Sequence, residues 1–387
     1  MMPLTVPKDI DKYFYNRKSD IKKISRQINS IYEDLPCQLL ITGKRGVGKT
    51  FLLKKILHDQ KKDIITIYID ISQIYGKEGG NITEEAILKE ILNQFKLKIN
   101  EKNLLNKIKN LISDLKLKNY DITKDRTIFD IPIPKIKDNY SKLSEFVLDL
   151  PQKIVDSSEN INGVIVVIDE FQQIKYVNNS EAFFWLFRSF IQDQKNVCYI
   201  FTGSVSKTAD VIEMINGQTG AFGGRMIQFD IDSFSKEETL NYINDKASNI
   251  KFTNDGFDRF YKCTKGIPAY INTFCNILDS GITYDENKIK ETFFMQMDQI
   301  VIMWLYVWGN LNSSEKSIII SLVENNSLSL KEIQSQSNLS KTTILKYLDS
   351  LSNKGIIKYL NKNYSLNDEM LKTWLKYKKE TEGQYPQ

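Results

Sequence analysis

Histidine is almost absent from the 387-residue chain: His58 is the one example. Histidine-based triads would hang on that residue alone, and His-rich zinc or di-iron sites cannot be assembled. His58 itself reads as a surface helix residue. Cysteine is scarce as well. Cys37, Cys198, Cys263 and Cys275 form no CxxC pair and lie in apolar or helical settings, so neither a zinc ribbon nor a disulfide framework is indicated, and all four read as buried thiols. Long apolar runs are missing. The stretches 300–308 and 164–168 fall well short of the roughly 18 residues needed to span a bilayer. The opening Met-Met-Pro-Leu-Thr-Val-Pro-Lys has no signal-peptide core, so a cytoplasmic location without a membrane partner is expected. A strong excess of one charge is also lacking: 53 basic and 48 acidic side chains leave +5, too little to imply nucleic-acid binding without a supporting fold. What is present, 41% hydrophobic and 26% charged residues, suits a globular chain, and its length favours two or three domains.

Along the chain, Ile21, Ile24, Ile28 and Ile31 recur at helical spacing within 18–34, and a short buried strand, Cys37 to Thr42, follows. A glycine-rich loop then opens a helix. An alternating strand is predicted at 63–71, with helices near 83–95 and 101–118. The polar segment 119–139, carrying Ile131-Pro132-Ile133-Pro134, suits an insertion or edge hairpin. A helix near 142–157 contains Pro151, which should kink it or end its first half. Strands at 163–168, 197–202 and 226–231, separated by helical stretches, complete an alternating pattern of continuous apolar strands, the mark of a parallel α/β sheet covered on both faces. From Ser235 to Gly309 the pattern is helical.

Gly43-Lys44-Arg45-Gly46-Val47-Gly48-Lys49-Thr50 fits GxxxxGK[ST] between a strand and a helix, the context that pattern requires. The glycines let the backbone curl so that successive N–H groups point at phosphate oxygens, and the helix opening at Lys49 adds its positive end. Lys49 is placed to reach the β and γ phosphates, and the Thr50 hydroxyl to meet Mg²⁺. Val164 to Ile168 is a β-branched run ending in Asp169-Glu170, at the sheet edge where ligands of open α/β sheets sit. Asp169 suits the Mg²⁺ shell, and Glu170 a base that polarises an attacking water. Thr202 and Ser204 end the next strand, where a hydroxyl could contact the γ-phosphate or the water. Arg225 follows Gly223-Gly224 before a further strand. No Asn-Lys-x-Asp motif follows a strand, so a guanine-selective pocket is not supported.

These motifs resemble, in order, those of the predominantly archaeal ATPase family of the P-loop superfamily, related to AAA+ and STAND ATPases. Phe14-Tyr15-Asn16-Arg17 with Asp20 is similar to that family's N-terminal box, with Asn16 in place of a glycine. The resemblance places Tyr15 and Arg17 by the adenine and ribose, with Phe51 following the phosphate loop. It makes Arg225 a phosphate-facing arginine acting in cis or in trans, and it likens Lys265-Gly266-Ile267-Pro268 to the Gly-x-Pro turn of a helical lid. It covers residues 14–280. No arginine follows Gly266-Ile267-Pro268 to match the lid arginine of many AAA+ proteins.

After Asn312 the grammar changes. Ser313-Ser314-Glu315 caps a helix with Ile318, Ile319, Leu322 and Val323 on one face. Helices at 329–335 and 340–351 follow, and then a hairpin through Ile356–Leu360 and Tyr364–Leu366. Three helices and a two-stranded wing resemble a winged helix-turn-helix. Its third helix would present Lys341, Thr342 and Lys346 to DNA, and its wing Lys358 and Lys362. Lysines outnumber acidic residues in 313–366 but there is no arginine, the commonest reader of guanine, so DNA binding and protein docking both stay open. Trp374, in a closing helix, reads as core. The predicted fold is therefore a P-loop α/β domain over 1–232 with an insertion near 119–140, a helical lid over 233–310, and a winged helix-turn-helix with a C-terminal helix over 311–387. The expected function is that of a slowly hydrolysing, Mg²⁺-dependent ATP switch coupled to the winged helix, possible as an oligomer. The alternative is an ATP-regulated DNA-binding regulator or initiator-like protein.

Overall fold

The computed structural model describes residues 1–80, 82–101, 122–128, 131–134, 140–204, 210–337 and 339–387. Five parallel strands form the central sheet: β1 (Cys37–Thr42), β2 (Ile64–Asp70), β5 (Gly163–Asp169), β6 (Val197–Thr202) and β7 (Ile227–Asp230), in the order β2-β5-β6-β1-β7. Every residue of β5 and β6 is buried, which is why their sequences are apolar throughout instead of alternating. Successive side chains still go to opposite faces. Val164, Val166, Ile168, Tyr199 and Phe201 pack with helices Glu84–Glu101, Tyr140–Asp156 and Ser180–Ile191. Ile165, Val167, Cys198 and Ile200 pack on the other side with helices Lys18–Ile28 and Lys49–His58.

The polar insertion forms an antiparallel hairpin, β3 (Ile122–Ile128) with β4 (Ile131–Pro134), apart from the central sheet. The helix expected over 101–118 lies outside the described residues beyond Glu101. Pro151 sits inside an uninterrupted helix, Tyr140–Asp156, and does not end it. Val147, Leu148, Leu150 and Ile154 are all buried around it, and that packing outweighs the one backbone hydrogen bond a proline removes. The cysteine reading is also corrected. Cys37 and Cys198 stand in register on neighbouring parallel strands with Cα atoms 4.3 Å apart, and their sulfurs are joined as a disulfide, whereas Cys263 and Cys275 are free. In-register residues of parallel neighbours point to the same face, a proximity that their 161-residue separation conceals.

Beyond the sheet come six helices, Lys236–Lys246, Asn254–Thr264, Pro268–Ile277, Glu286–Met295, Met297–Ile300 and Ile302–Gly309, with a two-residue strand pair β8 (Lys251–Phe252) and β9 (Thr283–Tyr284). Ser235 and Glu238 close a reciprocal capping box at the first of them. Helices Ser313–Asn325, Leu330–Ser335 and Lys341–Asn353 follow. With them go a three-stranded antiparallel sheet, β10 (Ser327–Ser329), β11 (Ile357–Leu360) and β12 (Asn363–Leu366), and the closing helix Glu369–Glu382. The third strand, β10, is too short to read from sequence. Asn312, not Ser313, caps the first of these helices with Glu315. One apolar cluster runs through both helical regions, joining Phe260, Phe274 and Trp304 to Leu322, Ile344 and Trp374. Among the described residues no helix is long and apolar enough to cross a membrane.

Candidate active site

The sheet register brings the predicted acidic and hydroxyl residues to one edge. Asp70 pairs with Asp169, Asp169 with Thr202, and Ile41 of β1 with Thr202, so the carboxyl ends of four neighbouring strands meet beside the loop that leaves β1. In that loop Gly43, Gly46 and Gly48 all have positive φ, +144°, +82° and +95°, the region glycine adopts without steric cost. A Cβ at Gly43 would lie 2.5 Å from the Ile231 carbonyl oxygen, so glycine is required there on space alone. Gly48 caps the helix Lys49–His58 with no side-chain acceptor, leaving first-turn N–H groups for a ligand.

Lys49 is 5% exposed, yet among the described residues its ammonium donates only to neutral oxygens: the Gly43 carbonyl (2.9 Å), the Lys44 carbonyl (3.0 Å) and Ser204 Oγ (3.0 Å). Burial pushes its pKa down to about 8, against the pull of Glu170 and Asp169. A buried cation without a bonded counter-ion is costly, and a phosphate would supply one. Thr50 Oγ1 donates to Asp169 Oδ2 at 2.8 Å, the Tyr68 hydroxyl donates to the same oxygen, and the Glu170 N–H donates to Oδ1 at 2.9 Å. This oxygen-only pair of Thr50 and Asp169 beside a phosphate loop fits a hard divalent cation such as Mg²⁺. Glu170 has φ +54°, and burial together with the neighbouring Asp169 pushes its carboxyl pKa up. A raised pKa suits a proton acceptor.

Thr202 is fully buried and its hydroxyl has no partner among the described residues, whereas Ser204 is engaged by Lys49. Arg225 is not brought into the cluster. Its side chain is exposed at the turn of Gly223 and Gly224 and makes no hydrogen bond, ion pair or ring contact with a described residue.

On the other side of the loop, Asn16 and Arg17 both have positive φ (+56° and +58°). Asparagine tolerates that region better than other non-glycine residues, so Asn16 keeps the backbone shape that glycine would give, and its amide donates to Glu238 at 2.6 Å. Arg17 donates to the Val47 carbonyl at 2.9 Å and lies 4.7 Å over the Phe234 ring. Tyr15 packs on Tyr242 and Phe234, with centroids 5.1 and 5.9 Å away, and Phe14 packs edge-on against Phe51. Pro268 opens its helix at the first position, and the next N–H, of Ala269, donates to the Gly46 carbonyl at 3.1 Å. The helical region therefore touches the phosphate loop directly.

Sequence reasoning missed Tyr68 and Gln172. Tyr68 is an ordinary member of an alternating strand, and only the register of β2 with β5 aims its hydroxyl at Asp169. Gln172 follows the acidic pair by two residues, and its amide donates to Glu170.

Far from the loop, Lys341, Thr342 and Lys346 are exposed on the third helix of the C-terminal region, and Lys358 and Lys362 in its hairpin. Leu345, Tyr359 and Leu360 are exposed on the same two elements.

Comparison with solved structures gives a Walker-type ATPase of Pyrococcus abyssi at TM-score 0.65 and 17% identity, covering 95% of this chain and 97% of that one. The two share a fold over nearly their whole lengths. The ORC1 protein of Aeropyrum pernix, solved in complex with DNA, follows at TM-score 0.48 and 11% identity, covering 98% of this chain and 96% of that one. No match was found among curated proteins. A winged helix-turn-helix DNA-binding model matches residues 311–358, and the model of an ATPase domain predominantly from Archaea matches residues 14–274. The chain thus belongs to that ATPase family, with a P-loop α/β fold and a C-terminal winged helix.

Proposed function

We propose that the protein is a Mg²⁺-dependent ATP switch that hydrolyses slowly and transmits its nucleotide state to the winged helix. The loop 43–50 takes the phosphates, with Lys49 on the β and γ groups. Thr50 and Asp169 hold the cation, Glu170 accepts a proton from the attacking water, and Thr202 and Ser204 face the γ-phosphate. Tyr15, Arg17, Phe51 and Pro268 border the base and ribose. Mg²⁺, when bound, neutralises charge that develops on the phosphate oxygens. Turnover in the isolated chain is slow because Arg225 stands in solvent and no arginine follows Pro268, leaving the γ-phosphate charge chiefly to Lys49 and the cation.

One observation carries the coupling. The 3₁₀ turn Phe171–Tyr176 leaves Glu170 directly, and Lys175 within it pairs with Asp349 on the third winged-helix helix at 2.5 Å. Val211, on the helix reached after β6, donates its N–H to Asn353 of the same third helix at 3.3 Å. The lid (233–310) and winged helix (311–387), bound by one apolar cluster, shift as a body when Ala269 and Gly46 adjust to nucleotide. Hydrolysis of Mg·ATP by the parent, compared with Lys49→Ala and Glu170→Gln, tests the reading. Equal rates in all three would refute it.

The second reading, an ATP-regulated DNA-binding protein, is favoured by the winged helix-turn-helix match over 311–358 together with the exposed Lys341, Lys346, Lys358 and Lys362. Exposed Leu345 and Leu360 among those lysines suit a protein partner equally.

A further inference from the structure

The residue after Phe171 is buried, polar and half satisfied. Gln172 is 5% exposed. Its amide nitrogen donates to Glu170 Oε2, while its carbonyl oxygen is buried with no hydrogen-bond partner among the described residues. A glutamine kept for packing alone would have both ends paired, since buried polar atoms in native proteins nearly always do. The unpaired oxygen lies against Gly203, where any Cβ would collide with it. On either side of Gly203 stand Thr202, whose buried hydroxyl also lacks a partner among the described residues, and Ser204, whose hydroxyl accepts from Lys49 at 3.0 Å. Two orphaned oxygens therefore flank one glycine, beside the proposed base and the phosphate-binding lysine.

Building on the hydrolytic reading of this site, we propose that Gln172 orients the attacking water: its amide holds the Glu170 carboxylate, and its carbonyl accepts the water hydrogen that Glu170 does not take. A water has two hydrogens and needs two acceptors to be held in one orientation. Glu170 Oε2 is occupied by Gln172, which leaves Oε1 for the first hydrogen and Gln172 Oε1 for the second. In the step itself the water oxygen bonds to the γ-phosphorus, and the bond from that phosphorus to the β–γ bridging oxygen breaks. The bonding electrons leave on ADP, and one water proton passes to Glu170. The other stays on the transferred oxygen, hydrogen-bonded to Gln172. Gly203 has a matching role, because a side chain there would displace the acceptor.

Steady-state hydrolysis by the full chain tests this, with Mg·ATP binding by calorimetry alongside. Gln172→Leu keeps the bulk and removes both polar ends. It should lower kcat about 10- to 100-fold with KM and ATP affinity within about twofold of the parent. In a Glu170→Gln background, Gln172→Leu should add almost nothing, because the two act on one water. Gly203→Ala should lower kcat in the same way, and it stands in if Gln172→Leu does not fold. An unchanged kcat in both variants, or a full-sized loss in the Glu170→Gln background, would overturn the assignment while leaving the hydrolytic reading intact. A parent that binds Mg·ATP but never hydrolyses it would overturn both.

Discussion

The Lys175 ammonium lies 2.5 Å from the Asp349 carboxylate, tying the turn that follows Glu170 to the third helix of the winged module. Asp349 also accepts from Asn353, whose carbonyl oxygen accepts the Val211 N–H. The segments that leave β5 and β6 beyond the candidate site thus both reach the carboxyl-terminal half of one helix, whose amino-terminal half carries the exposed Lys341, Thr342 and Lys346.

Cutting that tie should separate coupling from stability. The pair is about a quarter exposed on each side, so Asp349→Asn should cost no more than about 1 kcal/mol of folding stability. It should nonetheless abolish any change in ATPase rate that a winged-helix partner produces. Melting curves and ATPase assays with and without duplex DNA read the two effects separately.

With Lys49 on the phosphates as proposed, nucleotide binding should depend on pH. The folded, nucleotide-free pKa of Lys49 is about 8, and phosphate oxygens beside the ammonium raise it. Between those two values the complex holds more protons than the free protein, so binding takes up as much as one proton. ATP affinity should be flat below pH 8 and fall by up to tenfold per pH unit above it. Calorimetry in buffers of different ionisation enthalpy counts the proton. Lys49→Ala should bind weakly and lose the dependence.

Glu170→Gln keeps size and hydrogen bonding but cannot take a proton. Mg·ATP should bind as to the parent and persist, with hydrolysis down about 100-fold or more. Single-turnover assays with labelled ATP check this. Parental turnover in the variant would move the base elsewhere.

If the winged helix binds duplex DNA, Lys341, Lys346 and one or both of Lys358 and Lys362 each neutralise a phosphate. The log–log salt slope should then be roughly −3 to −4. Lys341→Ala with Lys346→Ala should flatten it by about two units and weaken all sequences alike. A protein-docking surface predicts flat DNA titrations in every nucleotide state.

Much of the candidate site's layout was legible because a phosphate-loop pattern and an acidic strand end have fixed spacing along the chain. Asp169 and Glu170 stand at the carboxyl end of β5, and Lys49 and Thr50 open the helix that the loop after β1 leads into; the apolar runs of those strands mark them plainly, and the register of β1, β5 and β6 does the rest. Asn16, a departure from glycine, holds a φ of +56°, one that asparagine accepts. Arg225 stands exposed at the turn of Gly223 and Gly224, a position that joins no phosphate site within this chain and is open to a neighbouring one. Cys37 with Cys198, and Tyr68 with Asp169, meet only through strand pairing, which no local pattern reveals. Pro151 was weighed as a local breaker when the burial of its neighbours decides the outcome.

The central claim is that nucleotide bound at 43–50 is felt by the third helix of the winged module. Amide hydrogen exchange over residues 341–353, compared between Mg·ATP in the Glu170→Gln variant and Mg·ADP, measures this without reference to any partner. Protection should differ between the two states, and Asp349→Asn should remove the difference. Identical exchange in both states, with nucleotide shown to be bound in each, would contradict the account.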